Sequence, residues 1–277
     1  MIDRRTMIAG AAALAAAPAI AQRGRQAGPP IGLQLYTLRA LFQADPVATL
    51  EQVARIGYRQ VEYGGGGFDT MNPATLRRTT DRLGLTAPSV HIGYDALKDR
   101  FAPSVAMAKT LGAETVVLPY LDAGHRTEDG FRDVIATVNR VARQLRQEGL
   151  GFAYHNHDFE FTTRPGGVSL YDRLVRDSDP ALVRFELDLF WAVKAGEDPL
   201  ALIRRLAGRI YAYHVKDMTA GGDMTSVGAG RIDFAAIFRL NRLAGVRRFY
   251  VENDESPAPY LPDITTSFTN LNRLLGR

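Results

Sequence analysis

From Ile31 onward the chain alternates between two patterns: apolar runs of a few residues, then longer stretches whose apolar positions recur every three or four residues. The runs read as buried strands and the longer stretches as amphipathic helices. The predicted strands are Ile31–Tyr36, Gln60–Glu62, Thr86–His91, Thr115–Leu118, Gly151–His155, Val183–Asp188, Ile210–His214 and Arg248–Glu252. Among the helices, Pro46–Ile56 gathers Val47, Leu50, Val53 and Ala54 on one face and stops at Gly57. Pro73–Leu83, Ala96–Leu111, Glu128–Gln147, Phe234–Leu243 and Pro262–Leu275 follow, several opening on Pro or ending at Gly, as helix boundaries favour.

Eight strands alternating with helices over residues 31–277 predict one α/β domain, a (β/α)8 TIM barrel. A doubly wound sheet is the alternative, but no strand is followed by a Gly-x-Gly-x-x-Gly turn. The glycine-rich stretch Tyr63–Phe68 lacks a P-loop ending and reads as a flexible loop over a pocket. Ahead of the barrel, Arg4-Arg5, the apolar run Met7–Ala17 and the small-x-small pattern Ala19-Ile20-Ala21 predict a twin-arginine-like signal peptide over residues 1–21. Residues 22–30 then read as a polar linker. That leader implies export, with the periplasm as the expected location.

Composition narrows the chemistry. With no cysteine among 277 residues, disulfides, thiol catalysis and cysteine-based zinc sites are excluded. The net charge is +4, but basic and acidic residues are interspersed, so neither nucleic acid nor, once the signal is removed, a membrane surface is expected as a partner.

The informative pattern is positional. Gln34 and Tyr36, Glu62, His91, Tyr120, His155 with His157, Asp188, His214 and Glu252 all fall at or just beyond the ends of the apolar runs. In a barrel those ends converge on one mouth, where active sites sit. Four of the five histidines lie there; the fifth, His125, belongs to a loop. One strand-end histidine is more often a satisfied polar group than a ligand. Convergent imidazoles and carboxylates instead suit a divalent transition-type ion better than an all-oxygen calcium cage. His155 and His157 are two apart and so share a strand face, while Glu160 lies beyond the strand and within reach of the mouth.

The succession Glu62, His91, Tyr154–His157 (YHNH), Phe185–Gly196 (FELDLFWAVKAG), Tyr213–Asp217 (YHVKD), Gly228–Phe234 (GAGRIDF) and Tyr250–Asp254 (YVEND) resembles the xylose isomerase-like TIM barrels, the sugar phosphate isomerases/epimerases that share a fold with endonuclease IV. The resemblance implies one bound divalent ion, manganese first, with zinc, cobalt, iron and magnesium as alternatives. Family ligands come from strands five to eight. Carried over, they fall on His155, Asp188, His214 and Glu252, with Glu160 a further candidate. His155 stands where the family commonly has glutamate, which removes one of the two carboxylate bases used for epimerisation.

The catalytic candidates are His157 and Glu252, and the substrate-binding candidates are Glu62, His91, Lys216, Trp191 and Arg231. The implied activity is metal-assisted isomerisation or epimerisation of a sugar or keto-sugar. The runner-up is a lyase or hydrolase of a keto-sugar glycoside on the same site, followed by a non-catalytic sugar-binding barrel. Abasic-site endonuclease activity is disfavoured, because neither the ligands for a three-metal cluster nor DNA-tracking basic loops are evident. The expected partner is a small-molecule carbohydrate, and since barrels of this type often pair, a homo-oligomer is an option.

Overall fold

The computed structural model describes residues 30–277; the expected signal peptide, and the linker apart from Pro30, lie outside them. Eight parallel strands close into a barrel: β1 (Ile31–Gln34), β2 (Gln60–Tyr63), β3 (Thr86–His91), β4 (Thr115–Leu118), β5 (Gly151–His155), β6 (Val183–Asp188), β7 (Ile210–Val215) and β8 (Arg248–Val251). Each strand pairs with its sequence neighbours, and β8 closes on β1. No helix among the described residues is long and apolar enough to cross a membrane.

Strand periodicity sorts the side chains into two shells. One parity packs outward into the main apolar core, with Leu33, Val61, Val90, Val116, Phe152, Phe185, Leu187, Tyr213 and Val251 all buried beneath the helices. The other parity contributes Gln34, Glu62, Ser89, His91, Val117, Ala153, His155, Glu186, Asp188, Ala212, His214 and Tyr250. Register aligns these in turn around the ring: Gln34 with Glu62, Glu62 with Ser89, His91 with Val117, Val117 with Ala153, His155 with Glu186, Asp188 with His214, and His214 with Tyr250. A small apolar plug of Val117, Ala153, Tyr211, Ala212 and Tyr250 fills the barrel below the polar layer. Gly32 makes room for it, since a Cβ there would lie 2.4 Å from the Tyr250 ring.

Departures from the predicted elements have local causes. β1 ends at Gln34 rather than Tyr36, because Gln34 Oε1 accepts the Tyr36 N–H at 3.1 Å and turns the chain into a 3-10 segment, Leu35–Leu38. The single helix expected over Ala96–Leu111 is two, Tyr94–Asp99 and Phe101–Leu111. Pro103 has no N–H to offer the Asp99 carbonyl and its ring clashes there, so the break falls at Arg100. The helix expected over Phe234–Leu243 is likewise split, into Phe234–Phe238 and Asn241–Ala244. After β7 a two-residue antiparallel hairpin, Asp217–Met218 with Met224–Thr225, was not anticipated.

Candidate active site

The carboxyl ends of the strands surround a cavity of about 960 Å³ whose lining includes His91, His155, His157, Trp191, Lys216, Glu252 and Asp254. The expectation of a loop over a pocket at Tyr63–Phe68 is met in position: Gly64 and Gly65 line the wall. Gly65, Gly66 and Gly67 have φ of 68°, 61° and 72°, a left-handed run that side chains would strain.

Four strand ends bring His155, Asp188, His214 and Glu252 together, each with one ligand-type atom within 4.8 Å of the others. All four are buried. Asn156 ties β5 to β6, donating from Nδ2 to the Asp188 carbonyl at 3.3 Å and accepting the Asp188 N–H at 3.1 Å. Asp188 Oδ1 accepts the Trp191 N–H at 2.9 Å, which orients the carboxylate. Its other oxygen, Oδ2, is buried and accepts no hydrogen bond of good geometry, although Lys216 Nζ stands 3.0 Å away.

Beneath this set lies a second polar layer that the sequence did not reveal as such. Glu186, two residues before Asp188 on the same strand face, places Oε1 2.8 Å from His214 Nε2, 2.9 Å from His91 Nε2 and 3.2 Å from His155 Nδ1. Glu62 Oε1 lies 2.8 Å from His214 Nε2 and 2.9 Å from His91 Nε2, and accepts from Gln34 Nε2 at 2.8 Å. Ser89 donates to Glu62 Oε2 and is hydrogen-bonded to the Tyr250 hydroxyl at 2.8 Å.

With carboxylates on His155 Nδ1 and His214 Nε2, the ring nitrogens facing the upper set are His155 Nε2, 3.8 Å from Asp188 Oδ2, and His214 Nδ1, 2.6 Å from Glu252 Oε2. A carboxylate behind each imidazole is the arrangement that orients histidine ligands on a metal. Two imidazoles, two carboxylates and an under-coordinated buried Asp188 oxygen therefore fit a divalent cation. His91, His155, Glu186 and His214 form a second such group. The two groups share His155 and His214; each has two members lining the cavity, His155 and Glu252 in the first and His91 and His155 in the second.

Charges in the two layers differ. Burial would push His91 down, but Glu62 and Glu186 raise it to about 9. Burial would raise Glu186, but His214 and His91 hold it at about 2. In the upper layer, burial would lower Lys216, yet Asp188, Glu252 and Asp254 keep it firmly protonated. Burial raises Asp188 to about 6 against the pull of Lys216 and His214. Burial, reinforced by neighbouring cations, depresses His155 well below its ordinary value. His157 falls to about 3 through burial and then Lys216. Both fifth-strand imidazoles are thus neutral at neutral pH.

The other sequence candidates sort by depth. His91, Trp191 and Lys216 reach the cavity, but Glu62 does not: it is fully buried in the lower layer, so it supports His91 and His214 rather than touching substrate. Lys216 is buried, with Nζ 2.7 Å from Glu252, 2.8 Å from Asp254 and 3.0 Å from Asp188. Glu160 joins neither ligand group, because Oε1 accepts from Tyr154 at 2.8 Å and Oε2 from the His157 N–H at 2.7 Å.

Arg231 is also away from the cavity. Asp217 gathers the N–H groups of Gly228, Gly230 and Ile232 at 2.8, 2.9 and 3.2 Å, folding that loop outward until the Arg231 guanidinium lies 3.1 Å from Met218 Sδ. Missed in sequence were Glu186, hidden as one polar residue inside an apolar strand, and Asp254, whose partner Lys216 lies 38 positions away.

The sequence is 23% identical over 253 residues to an inosose dehydratase of Lacticaseibacillus casei, covering 77% of this chain and 83% of that one. The fold superposes on a sugar phosphate isomerase/epimerase from Parabacteroides distasonis with a TM-score of 0.77 and 25% identity, covering 90% and 95% of the two chains. It also matches the IolI protein, solved with a bound zinc atom, at a TM-score of 0.69 and 15% identity over 89% and 98%. Residues 50–256 match the family directly, and the chain belongs to the xylose isomerase-like TIM barrels.

Proposed function

We propose that this protein is a divalent-metal-dependent lyase that removes a proton next to the carbonyl of a keto-sugar or keto-polyol and expels the oxygen substituent on the following carbon. The observation that carries the reading is the fifth strand. Position 155 is imidazole, and the carboxylate the sequence offers nearby in its place, Glu160, spends both oxygens on Tyr154 and the His157 backbone. The facing pair of carboxylates that two-base epimerisation needs is therefore incomplete. The inosose dehydratases among its relatives carry a name for elimination chemistry, which supports the same choice.

His155, Asp188, His214 and Glu252 would hold the ion, which supplies Lewis-acid polarisation of the substrate carbonyl. The chain's own groups do the rest. His157 lines the cavity as a neutral ring, so it is the group placed to accept the carbon-bound proton; its low proton affinity means that the C–H must be acidified by the carbonyl polarisation the ion would supply. The C–H electron pair becomes the new C=C bond. The C–O bond breaks with its pair on the leaving oxygen, and Lys216, the one lysine lining the cavity, donates the proton that oxygen needs. Exchange with solvent resets both residues. Trp191 and the aromatic wall exclude water from the reacting face.

Isomerisation or epimerisation is the second reading, favoured by the Parabacteroides relative's description as an isomerase/epimerase. The two separate in heavy water with manganese-loaded protein and a keto-sugar bearing a leaving group. Release of that group with an unsaturated ketone is expected. Deuterium incorporation or epimer formation with the leaving group retained would reverse the assignment.

A further inference from the structure

We propose that the outer half of the cavity is a subsite for a planar aromatic substituent, so that the substrate is a keto-glycoside of an aromatic alcohol. The inference rests on the lyase reading of the inner half and adds the leaving group.

Size is the first argument. About 960 Å³ is at the upper end for sites that enclose drug-sized ligands, and a single sugar ring fills a small part of it. The second is the character of the wall. Trp191 and His157 have ring centroids 5.4 Å apart at the floor. The aromatic strip continues from His157 to exposed Tyr120 at 5.3 Å, backed by buried Phe159, which lies 5.5 Å from Tyr120 and 6.0 Å from His157.

Exposure supplies the third argument. Four large hydrophobic side chains stand out as exposed among the described residues, and two of them, Tyr36 at 39% and Tyr120 at 46%, line this one cavity. Each is held by a guanidinium: Arg39 lies 4.3 Å from the Tyr36 centroid, and Arg126 lies 4.9 Å from Tyr120 and 3.5 Å from Phe159. Rings pinned in this way lose little freedom when a ligand ring packs against them, and solvent-facing aromatics gain by being covered.

The chemistry agrees. If the abstracted proton lies between the carbonyl and the carbon bearing the leaving group, a glycoside reacts with its carbonyl two carbons from the anomeric centre. Loss of the anomeric substituent then releases a phenol, whose oxygen carries charge far better than an alkoxide and asks less of Lys216.

The test reads binding and needs no turnover. Trp191 is the only tryptophan in the chain, so its fluorescence reports occupancy of the cavity. Magnesium-loaded protein is titrated with phenyl and methyl glucopyranosides, both anomers, none of which carries the reactive carbonyl. The phenyl glycoside is expected to bind about tenfold more tightly, as burial of a phenyl ring allows. Tyr120→Ala and, separately, Tyr36→Ala are expected to remove most of that preference while leaving methyl glycoside affinity within about twofold. Equal affinities in the wild type, undetectable phenyl glycoside binding, or variants that weaken both ligands alike would overturn the proposal. Phenyl preference without phenol release from the corresponding keto-glycoside would instead count against the lyase reading alone.

Discussion

Two buried carboxylates that never touch the cavity carry predictions at the scale of single residues. Glu186 stands behind both imidazoles of the upper set, so its role is to fix which ring nitrogen each presents. Glu186→Gln keeps the volume and an oxygen facing the rings but removes the negative charge that raises their basicity as ligands, and metal affinity is expected to fall about 10–100-fold in a competition titration. Unchanged affinity would mean the rings are held without it. Glu160 tests pH. Burial lifts its carboxyl from an ordinary 4.5 to about 8, against hydrogen bonds from Tyr154 and the His157 N–H. A carboxyl raised in the folded state stabilises the fold below its unfolded value, and that contribution is lost as pH climbs through the folded value. Relative to Glu160→Gln, the wild type should therefore lose stability between pH 4.5 and about 8, with a limiting slope near 1.4 kcal/mol per pH unit. Denaturant midpoints across that range measure it, and a constant gap between the two proteins would refute it.

At the scale of elements, the loop after β7 shows how one residue shapes a connection. Asp217 is buried and accepts four backbone N–H groups, from Met218, Gly228, Gly230 and Ile232. Asp217→Ala would leave those donors unsatisfied and should cost about 2–4 kcal/mol in urea unfolding. Arg231→Ala, by contrast, should leave ligand affinity within about twofold, because the loop carries that side chain away from the cavity. Sequence reading placed Arg231 at the substrate because strand-to-helix loops of a barrel open at the mouth. It had no means of seeing that Asp217 would fold this loop on itself. The strands were legible because their buried runs have clear ends, and the helix break at Arg100 was missed although Pro103 stood in plain view. Depth within one face was not legible at all. Glu62, Glu186 and Asp188 share the same alternation, yet only the closed barrel decides which of them lies beneath the histidines and which faces the upper ligand set.

For the whole molecule, closure and metal binding are one problem. His155, Asp188, His214 and Glu252 come from four successive strands, and in the unfolded chain they are spread over a span of nearly a hundred residues. An ion that needs all four binds the folded barrel and not the open chain, so it stabilises by mass action. Without it, Lys216 and His214 are the counter-charges among Asp188, Glu252 and Asp254, leaving an excess of buried negative charge. At a free ion concentration a hundred times Kd the gain is about 2.7 kcal/mol, which for a domain of this size raises Tm by roughly 5–10 °C. Chelator should remove that increment, and manganese, zinc, cobalt, iron or magnesium should restore it to degrees that rank the ions. Asp188→Asn should abolish the response, since it weakens the anion whose second oxygen has no hydrogen bond of its own. A thermal transition that none of the five ions moves in the wild type would take the metal, and with it the lyase mechanism, out of this barrel.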